Sequence, residues 1–242
     1  MNAALATPTT ESAALVWPLV GNDVGFDKGL DFEQLRQRLP LTRRRLKAGQ
    51  SLYRAGQKFD ALYLVHAGFL RVSQVSEDGR EQVLGFRMRG ELLGAESIGL
   101  RAHVCDAVAL DSAEVWELPY PAMLRTCAEM PELQARLTAA MAEEMRRDRQ
   151  WMLVFGTLNA EQRVATFLLD LAERHAGLGY SAKSYVLRMS RMDIASFLAL
   201  KHETVSRILT HLSDIGCIQV QRRDVTLLDE RRLRAIACLR CA

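Results

Sequence analysis

The stretch HETVSRILTHL, residues 202–212, places three hydrogen-bonding side chains where they could act together. In a helix, Glu203, Ser206 and Arg207 lie on one side, and the apolar residues of the stretch lie on the other. A carboxylate accepts hydrogen bonds, a guanidinium donates several in a fixed fork, and a hydroxyl does both. Glu203 and Arg207 are four residues apart and could also form an ion pair. This combination favours a helix that docks by its apolar face and recognises another molecule with its polar face.

The positive charge of the chain is concentrated in its last third. The whole sequence has a formal net charge of +3. Residues 160–242 contain 13 Lys and Arg against 9 Asp and Glu, whereas the preceding residues contain 19 against 20. This modest asymmetry favours a nucleic-acid partner for the C-terminal part. The early apolar run AALVWPLVG is short and contains Pro18, so we expect a cytoplasmic protein with no membrane partner.

The five cysteines, at positions 105, 127, 217, 238 and 241, lack the pattern of a disulfide scaffold. An odd number without such a pattern is typical of a reducing compartment. Cys238 and Cys241 form a Cys-x-x-Cys pair, but two ligands do not make a zinc site. We predict no metal site and interpret the pair as accessible thiols, with a redox switch as the alternative.

The N-terminal half has the pattern of a small β domain. Residues 1–30 show little periodicity and are predicted to be a flexible arm, and residues 31–39 are predicted to form a short helix. Between residues 46 and 118, short apolar runs are separated by glycines, and the pair Asp78-Gly79 is a strong hairpin signal. Short strands at this spacing predict an all-β roll.

A helical period replaces the strand pattern after Pro131. Residues 131–158 could run as one helix, and a helix of this length beside a small roll needs a partner surface. A second copy of the chain is the simplest partner, and packing on its own domain is the alternative. Carboxylates on the seam would repel their symmetry mates unless a nearby arginine compensates them. The predicted dimer seam consists of Leu137, Met141, Glu144, Asp148, Trp151 and Phe155.

The C-terminal part is predicted to contain helices followed by a hairpin. Asn159 is a candidate N-cap for one helix. Ser190, with Asp193 three residues later, is a candidate N-cap for the next. A short turn then precedes the helix of HETVSRILTHL, and CIQVQRRDVTLLD predicts a two-stranded hairpin tipped by Arg222 and Arg223.

The order of roll, long helix, helix-turn-helix and wing resembles the CRP/FNR family of bacterial transcription regulators. The most specific match is MSRMDIASFLALKHETVSRILTHLSDIGCIQV, in which ETVSR resembles the core of the family's recognition helix; GELLGAESIG, MPELQARL, MAEEMRRDRQWM and LNAEQRVATFLLDL match farther upstream. The resemblance covers about residues 31–230 and implies an α+β protein. The implied parts are the arm (1–30), a cyclic-nucleotide-binding-like β-roll or jelly roll (31–130), a dimerisation helix (131–158) and a winged helix-turn-helix DNA-binding domain (159–242).

For the recognition helix, the resemblance implies contact with the bases of double-stranded DNA. Arg207 could pair with guanine, Glu203 could accept from cytosine, and Ser206 could approach thymine or phosphate. In the FNR branch of the family, this Glu-x-x-Ser-Arg spacing recognises a TTGAT-type half-site. His202 precedes the shared core and is predicted to modify base preference. Ala199 replaces a glycine that is common in this turn, and we expect the replacement to be harmless.

Phosphate contacts are predicted for residues around this helix. Lys201 stands where a Ser or Thr cap is common in the family, so we expect it to cap the helix poorly and to be available to a phosphate. Arg222 and Arg223 on the wing, and Ser190, are further candidates. For the three cations, a merely solvated charge is the alternative.

The roll lacks the effector ligands of two branches of the family. The oxygen-sensing iron–sulfur branch needs N-terminal cysteines and one in the roll, but the first cysteine here is Cys105, and Trp116 stands at the roll position. The cyclic-AMP branch uses a Gly-Glu element and an Arg-Ser pair. Gly90-Glu91 is present, but residues 103–105 (His-Val-Cys) stand near the place of the pair. We therefore predict no cofactor.

The leading interpretation is a FixK-like homodimeric activator without an effector, or with an unknown one. A haem sensor with His66 and His103 as axial ligands and a repressor that acts by occupancy are alternatives. The predicted hairpin tip, with Glu77, Asp78 and Arg80, corresponds to a loop that contacts RNA polymerase in the FNR branch, and an ordinary solvated turn is the alternative. The sequence has no nucleophile elbow, phosphate-binding glycine loop or HExxH motif, so we do not expect an enzyme.

Overall fold

The computed structural model describes residues 15–17, 25–26, 32–237 and 239–241 of the 242-residue chain. The strands in this part of the chain are β1 (Leu15–Trp17), β2 (Thr42–Leu46), β3 (Ser51–Tyr53), β4 (Ala61–Ala67), β5 (Leu70–Val75), β6 (Glu81–Arg87), β7 (Leu92–Leu93), β8 (Asp106–Ala109), β9 (Ala113–Pro119), β10 (Ser184–Val186), β11 (Ile218–Gln221), β12 (Asp224–Leu227) and β13 (Leu239–Cys241). The helices are α1 (Phe32–Arg38), α2 (Tyr120–Glu129), α3 (Pro131–Thr157), α4 (Ala160–Gly177), α5 (Arg191–Phe197), α6 (His202–Asp214) and α7 (Glu230–Ile236).

Two four-stranded antiparallel sheets form the N-terminal roll, with the strand orders β2-β9-β4-β7 and β3-β8-β5-β6. Their inner faces share one core, in which Val65 of β4 and Leu70 of β5 are fully buried. The hairpin of β5 and β6 turns at Gly79, whose φ of 82° carries little steric penalty for a residue without Cβ. The predicted roll and the predicted hairpin at Asp78-Gly79 are confirmed.

Helix α3 bridges the roll and the C-terminal unit. Its 27 residues correspond to a length of about 40 Å. Near its start Leu133 packs on the roll and α2, and near its end Val154 packs in the C-terminal core. None of the helices in the described residues is long and apolar enough to span a bilayer.

Five of the six residues of the predicted dimer seam lie on the inner face of α3, and the sixth, Asp148, is exposed on the outward face. Leu137 packs on the roll and Trp151 in the C-terminal core, and each is only 5% exposed. Met141 and Phe155 pack against the same two clusters, and Glu144 pairs with Arg87 of β6. The assignment of Leu137 and Trp151 to a surface that contacts a partner is therefore wrong, because their own chain covers them.

The C-terminal unit contains a helix-turn-helix and a small sheet. The predicted N-cap Asn159 is confirmed, since its side chain accepts from the Gln162 backbone in a capping box at the start of α4. The predicted hairpin of β11 and β12 is also present, but β10 pairs with β12 and makes a three-stranded sheet. The prediction of two strands was incomplete because the sequence gives no local signal for this longer-range pairing.

The two ends of the described chain meet. β1 pairs in parallel with β13, with Leu15 opposite Leu239 and Trp17 opposite Cys241. Residues Leu15–Trp17 therefore differ from the predicted flexible arm, because a strand near the other terminus satisfies their backbone groups. The predicted arm otherwise lies almost wholly outside the described residues, and so does Cys238 of the predicted thiol pair.

Candidate DNA-binding surface

Helix α6 is amphipathic, as its sequence predicts. Its polar side exposes Glu203, Ser206 and Arg207. Its apolar side packs into the C-terminal core, with at most 4% exposure, through Val205, Leu209 and Leu212. Burial of these three side chains fixes which face of α6 points outward.

The hydrogen-bonding groups on the polar side of α6 are available to an external partner. The ion pair that the spacing of Glu203 and Arg207 allows is not formed; the Glu203 carboxylate lies 3.4 Å from Nδ1 of His202 instead. Among the residues that the structure describes, none pairs with the Arg207 guanidinium. Its planar fork is therefore free for a bidentate contact.

The first residues of α6 add cationic and aromatic groups to this surface. Lys201 is the N-cap, and its side chain makes no capping hydrogen bond, as expected for lysine. Its ammonium is exposed and lacks a partner in the described part of the chain. The side chain of His202 is also exposed, at 56%. Both residues lie beside Glu203, so one ligand could contact all three.

The turn between α5 and α6 carries backbone strain. Ala199 has a φ of 53°, in the left-handed region where the Cβ atom crowds the following carbonyl. The expectation that alanine is harmless at this position is therefore wrong. Relative to glycine, alanine costs about 1 kcal/mol in this conformation.

Ser190 begins α5 in the predicted capping box with Asp193. Its Oγ accepts from the Asp193 backbone N at 3.1 Å and donates to the Asp193 carboxylate at 2.6 Å. Its backbone N also donates to this carboxylate, at 2.8 Å. The assignment of Ser190 to a phosphate contact is corrected, because both of its donors are engaged and an anionic side chain lies next to it.

The wing presents two arginines at its tip. Gln221 pairs with Asp224, which leaves Arg222 and Arg223 as a two-residue loop between β11 and β12. Arg222 has a φ of 56°, so this tight loop is also strained. Both arginines are exposed, and neither side chain has a partner within the described ranges. They lie on an exposed projection of the C-terminal unit, a position that suits candidate phosphate contacts.

The tip of the β5–β6 hairpin is an exposed, partly neutralised loop. Nε of Arg80 donates to the Asp78 carboxylate at 2.6 Å, and this contact and the Ser76 hydroxyl lower the pKa of Asp78. Glu77 is exposed and has no ion pair in the part of the chain that the structure describes. Of the three residues predicted to contact polymerase, Glu77 is thus the one that presents an uncompensated charge.

The outward face of α3 carries an apolar row that the rest of the chain leaves uncovered. Met145 is 55% exposed and Met152 is 71% exposed, and each lies about 100° around the helix from the inner-face residue before it. Asp148 is also exposed and lies between the two methionines in a three-and-four spacing. The helix surface around the Asp148 carboxyl group partly desolvates it and raises its pKa; Arg87 opposes this shift and Glu144 adds to it. The row Met145, Asp148 and Met152, which keeps Asp148 of the predicted seam, is therefore the candidate dimer surface.

The Gly90-Glu91 element is turned toward the protein interior. The Glu91 carboxylate accepts from Arg147 of α3 and from Arg174 of α4, each at 2.8 Å. It also accepts from the Met88 backbone N at 3.0 Å. Burial alone would raise the pKa of Glu91, but the two guanidiniums outweigh it and hold this pKa at about 2. Glu91 thus joins the roll, α3 and α4.

The residues present do not fit a cyclic nucleotide beside Glu91. The space between the roll and α3 has a volume of only about 30 Å³, whereas small-molecule sites occupy about 300–1,000 Å³. His103, near the place of the missing Arg-Ser pair, is 3% exposed and stacks on Tyr53 with ring centroids 3.8 Å apart. Phe59 contacts the edge of the same imidazole. These rings also occupy the space that a haem on His103 would need.

The thiols that the structure describes do not fit an iron–sulfur cluster either. The described thiols are buried in three separate apolar clusters: Cys105 in the roll core, Cys127 beside α1 and α2, and Cys217 in the C-terminal core. Trp116 packs beside α1, where its ring approaches the half-exposed imidazole of His66. Three dispersed thiols cannot ligate one cluster, which needs four ligands around one centre.

The sequence did not predict the contacts between the β5–β6 hairpin and α5. Arg71 pairs with the Asp193 carboxylate at 2.7 Å, and the Val83 backbone N donates to Ser196 Oγ at 2.9 Å. Burial raises the pKa of Asp193, but hydrogen bonds from Ser190 and Arg71 outweigh it and lower this pKa. Arg71 and Asp193 are 122 residues apart, and no local pattern marks such a pair.

Family models match both parts of the chain. A cyclic nucleotide-binding domain matches residues 43–130, and a Crp-like helix-turn-helix domain matches residues 162–236. Two similar proteins are the transcriptional activator protein Anr of Pseudomonas protegens (36% identity, 80% of each chain) and the transcriptional regulatory protein btr of Bordetella pertussis (37% identity, 76% of each chain).

A solved structure has the same architecture. The structure of FixK2 from Bradyrhizobium japonicum matches with a TM-score of 0.74 and 29% identity, over 81% of this chain and 96% of that one. This coverage includes the roll, the long helix and the helix-turn-helix, so the two proteins share the order of these parts along the chain.

Proposed function

The chain belongs to the CRP/FNR family of transcription regulators, and we propose that it recognises a TTGAT-like palindrome as a homodimer, without an iron–sulfur cluster or cyclic AMP. Membership makes the chain a DNA-binding regulator rather than an enzyme. The observation that carries the proposal is the exposed side of α6, where the unpaired Arg207 guanidinium lies beside Glu203 and Ser206.

The exposed polar side of α6 supports the proposed recognition of bases. A recognition helix in the major groove directs its first turns at base edges. Arg207 donates both arms of its guanidinium to O6 and N7 of the half-site guanine, and Glu203 accepts from the N4 amino group of a cytosine. Ser206 is short enough to approach thymine, and His202 is placed to modify the preference at the next base. Lys201, Arg222 and Arg223 contact the backbone, where they fix the register without selecting a sequence.

A dimer formed through the outward row of α3 would explain why the proposed DNA site is a palindrome. A two-fold dimer places two recognition helices in successive major grooves, about 34 Å apart. Exposed Met145 and Met152 provide apolar area for a second copy of the same helix, and helices of this kind pack in parallel when apolar residues recur every three or four positions. Asp148 between them opposes the contact, because two carboxylates meet near the symmetry axis.

Independence from a cofactor is supported by the contents of the roll. Glu91 is occupied by two arginines, His103 is enclosed by aromatic rings, and the described thiols are dispersed. The activity is then set by the amount of dimer rather than by a cluster or a nucleotide. A haem-gated sensor is the second candidate. An absorbance spectrum of the purified protein with added haem separates the two. A shifted Soret band would support haem binding, and an unshifted band would support independence from haem.

Activation through RNA polymerase is the proposed outcome of binding. The Anr relative is a transcriptional activator by name, and the exposed Glu77 of the β5–β6 hairpin offers an uncompensated charge to a polymerase subunit. In a transcription assay, Glu77→Gln should reduce activation at least threefold without changing DNA affinity. Unchanged activation would mean that the hairpin tip is an ordinary solvated turn. Repression by occupancy would then be tested at promoters where the binding site overlaps the polymerase site.

Fluorescence anisotropy on a TTGAT-N4-ATCAA duplex, in air and without ligand, tests the recognition proposal. Because the dimer carries Arg207 at both half-sites, Arg207→Ala should bind about 30- to 25,000-fold more weakly than the unchanged protein, the equivalent of about 1–3 kcal/mol for each half-site. The control Arg231→Ala removes an exposed arginine of α7 and should bind with unchanged affinity. Sequence-independent binding, or equal losses in the two variants, would reject the assignment of Arg207 to a base contact.

A further inference from the structure

A cleft of about 650 Å³ lies between the roll and the C-terminal unit. One wall comes from the end of β4, the turn between β4 and β5, the turn after β6 and the turn between β8 and β9, and it includes Phe69 and Arg89. The other wall comes from the end of α4, the loop that follows it, and β10 with the residues just after it, and it includes His175, Tyr180 and Arg188. Its volume is within the range of small-molecule sites, and it shares no lining residue with the narrow space beside Glu91.

Stacked aromatic rings form the floor of this cleft. The His175 ring lies 5.1 Å from Tyr185 and 5.9 Å from Phe69, with interplanar angles of 21° and 28°. Burial lowers the pKa of His175, and its Nδ1 lies 2.7 Å from the Leu171 carbonyl, so the imidazole is neutral at pH 7 and donates there. Tyr180 is 58% exposed, and its ring centroid lies 6.4 Å from that of His175 at an interplanar angle of 58°. Such surfaces favour a planar, apolar ligand group.

Two arginines make the rim of the cleft positive. Arg89 is exposed and has no partner among the described residues. Nε of Arg188 lies 3.4 Å from the Asp111 carboxylate, and the Arg188 side chain remains 44% exposed. Asp111 is the only carboxylate that lines the described cleft, and its other oxygen already accepts from the Phe69 backbone N at 3.0 Å. An anionic group at the rim would therefore gain charge-assisted hydrogen bonds from both guanidiniums.

We propose that the cleft binds a small aromatic carboxylate. Its ring lies against Tyr180 and His175, and its carboxylate is held between Arg89 and Arg188. The two walls belong to the roll and to the DNA-binding unit, so a bound ligand favours one relative orientation of the two. The site uses none of the residues assigned to base, phosphate or dimer contacts, and it stands whether or not α6 recognises the proposed sequence.

Isothermal titration calorimetry on the full chain tests the proposal directly. The probes are benzoate, 2-naphthoate and indole-3-carboxylate, each compared with its uncharged amide. At least one carboxylate should bind, with an affinity about tenfold or more above that of its amide, because the amide cannot replace the ionic contacts.

Matched variants locate the site. Arg89→Ala should weaken binding of the carboxylate about tenfold, whereas Arg125→Ala, which removes an exposed arginine of α2, should not change it. Tyr180→Ala should weaken binding severalfold, and Tyr180→Phe should restore it because the ring face is retained. All three positions are on the surface, and circular dichroism verifies that the four variants fold. Absence of binding by all three carboxylates, equal binding of the amides, or equal affinity in Arg89→Ala and the unchanged protein would each overturn the proposal.

Discussion

Glu91→Gln should destabilise the protein at the point where the roll, α3 and α4 meet. The Glu91 carboxylate accepts from Arg147 and Arg174 at 2.8 Å each, and the side chains of these arginines are only 10% and 9% exposed. Glutamine retains the shape of the side chain and one acceptor oxygen, so the Met88 backbone hydrogen bond can persist. It removes the charge, and Arg174 is then left with Asp170, whose carboxylate is 3.5 Å away.

Two arguments give the size of this effect. Loss of one member of a buried ion pair typically costs about 3–5 kcal/mol, because the other charge stays buried without compensation. The fall in the pKa of Glu91 from 4.5 to about 2 corresponds to about 3 kcal/mol of preference for the ionised form in the folded state. We therefore expect Glu91→Gln to lower the free energy of unfolding by about 3 kcal/mol at pH 7.

The effect of Glu91→Gln on the free energy of unfolding should also change with pH, in a direction that can be measured. Because folding lowers the pKa of Glu91, its contribution is complete above pH 4.5 and is lost as the pH falls through about 2. Urea unfolding should therefore show a difference in the free energy of unfolding between Glu91→Gln and the unchanged protein. This difference should be about half as large at pH 3 as at pH 7. Glu77→Gln, at an exposed position, is the control and should stay within about 0.5 kcal/mol. A loss below about 1 kcal/mol at pH 7, or a difference that grows on acidification, would refute the reasoning.

Three further outcomes follow from the structure. Ala199→Gly should raise the free energy of unfolding by about 1 kcal/mol in urea titrations, since glycine adopts a φ of 53° without strain, and a loss of stability would contradict this. Asp148→Ala should tighten the dimer about tenfold in analytical ultracentrifugation, because it removes a carboxylate from the row between Met145 and Met152; equal dissociation constants would reject that role. Arg222→Ala and Arg223→Ala should each weaken binding to all DNA sequences and reduce the slope of log K against log salt by about 2, because each protomer of the dimer loses one phosphate contact; a loss confined to one sequence would show base contact instead.

The parts of the fold that could be predicted are those with local causes. The Asp78-Gly79 hairpin, the caps at Asn159 and Ser190 and the two sides of α6 each depend on residues within a few positions of one another. In these cases the period of apolar residues and the conformational preference of a single residue decide the structure.

The parts that could not be predicted depend on which surfaces meet. Helix α3 has two apolar rows, and its period alone cannot tell whether Trp151 or Met152 faces the rest of the chain; the aromatic core formed with Phe167 and Phe197 decides it. The strain at Ala199 was missed because it depends on the backbone angle of a turn whose other positions match the family. The buried pairs of Glu91 join residues far apart in the chain, so spacing carries no signal for them.

A double-mutant cycle between Arg207 and the half-site guanine tests the central claim, recognition of bases by α6, most directly. Four affinities are measured by anisotropy: the unchanged protein and Arg207→Ala, each on TTGAT-N4-ATCAA and on a duplex whose half-site guanines are replaced. If Arg207 pairs with that guanine, either change alone should cost about 1–3 kcal/mol per half-site, and the second change should add little to the first. Additive losses would show that Arg207 and the guanine act independently, and would contradict the proposed base contact.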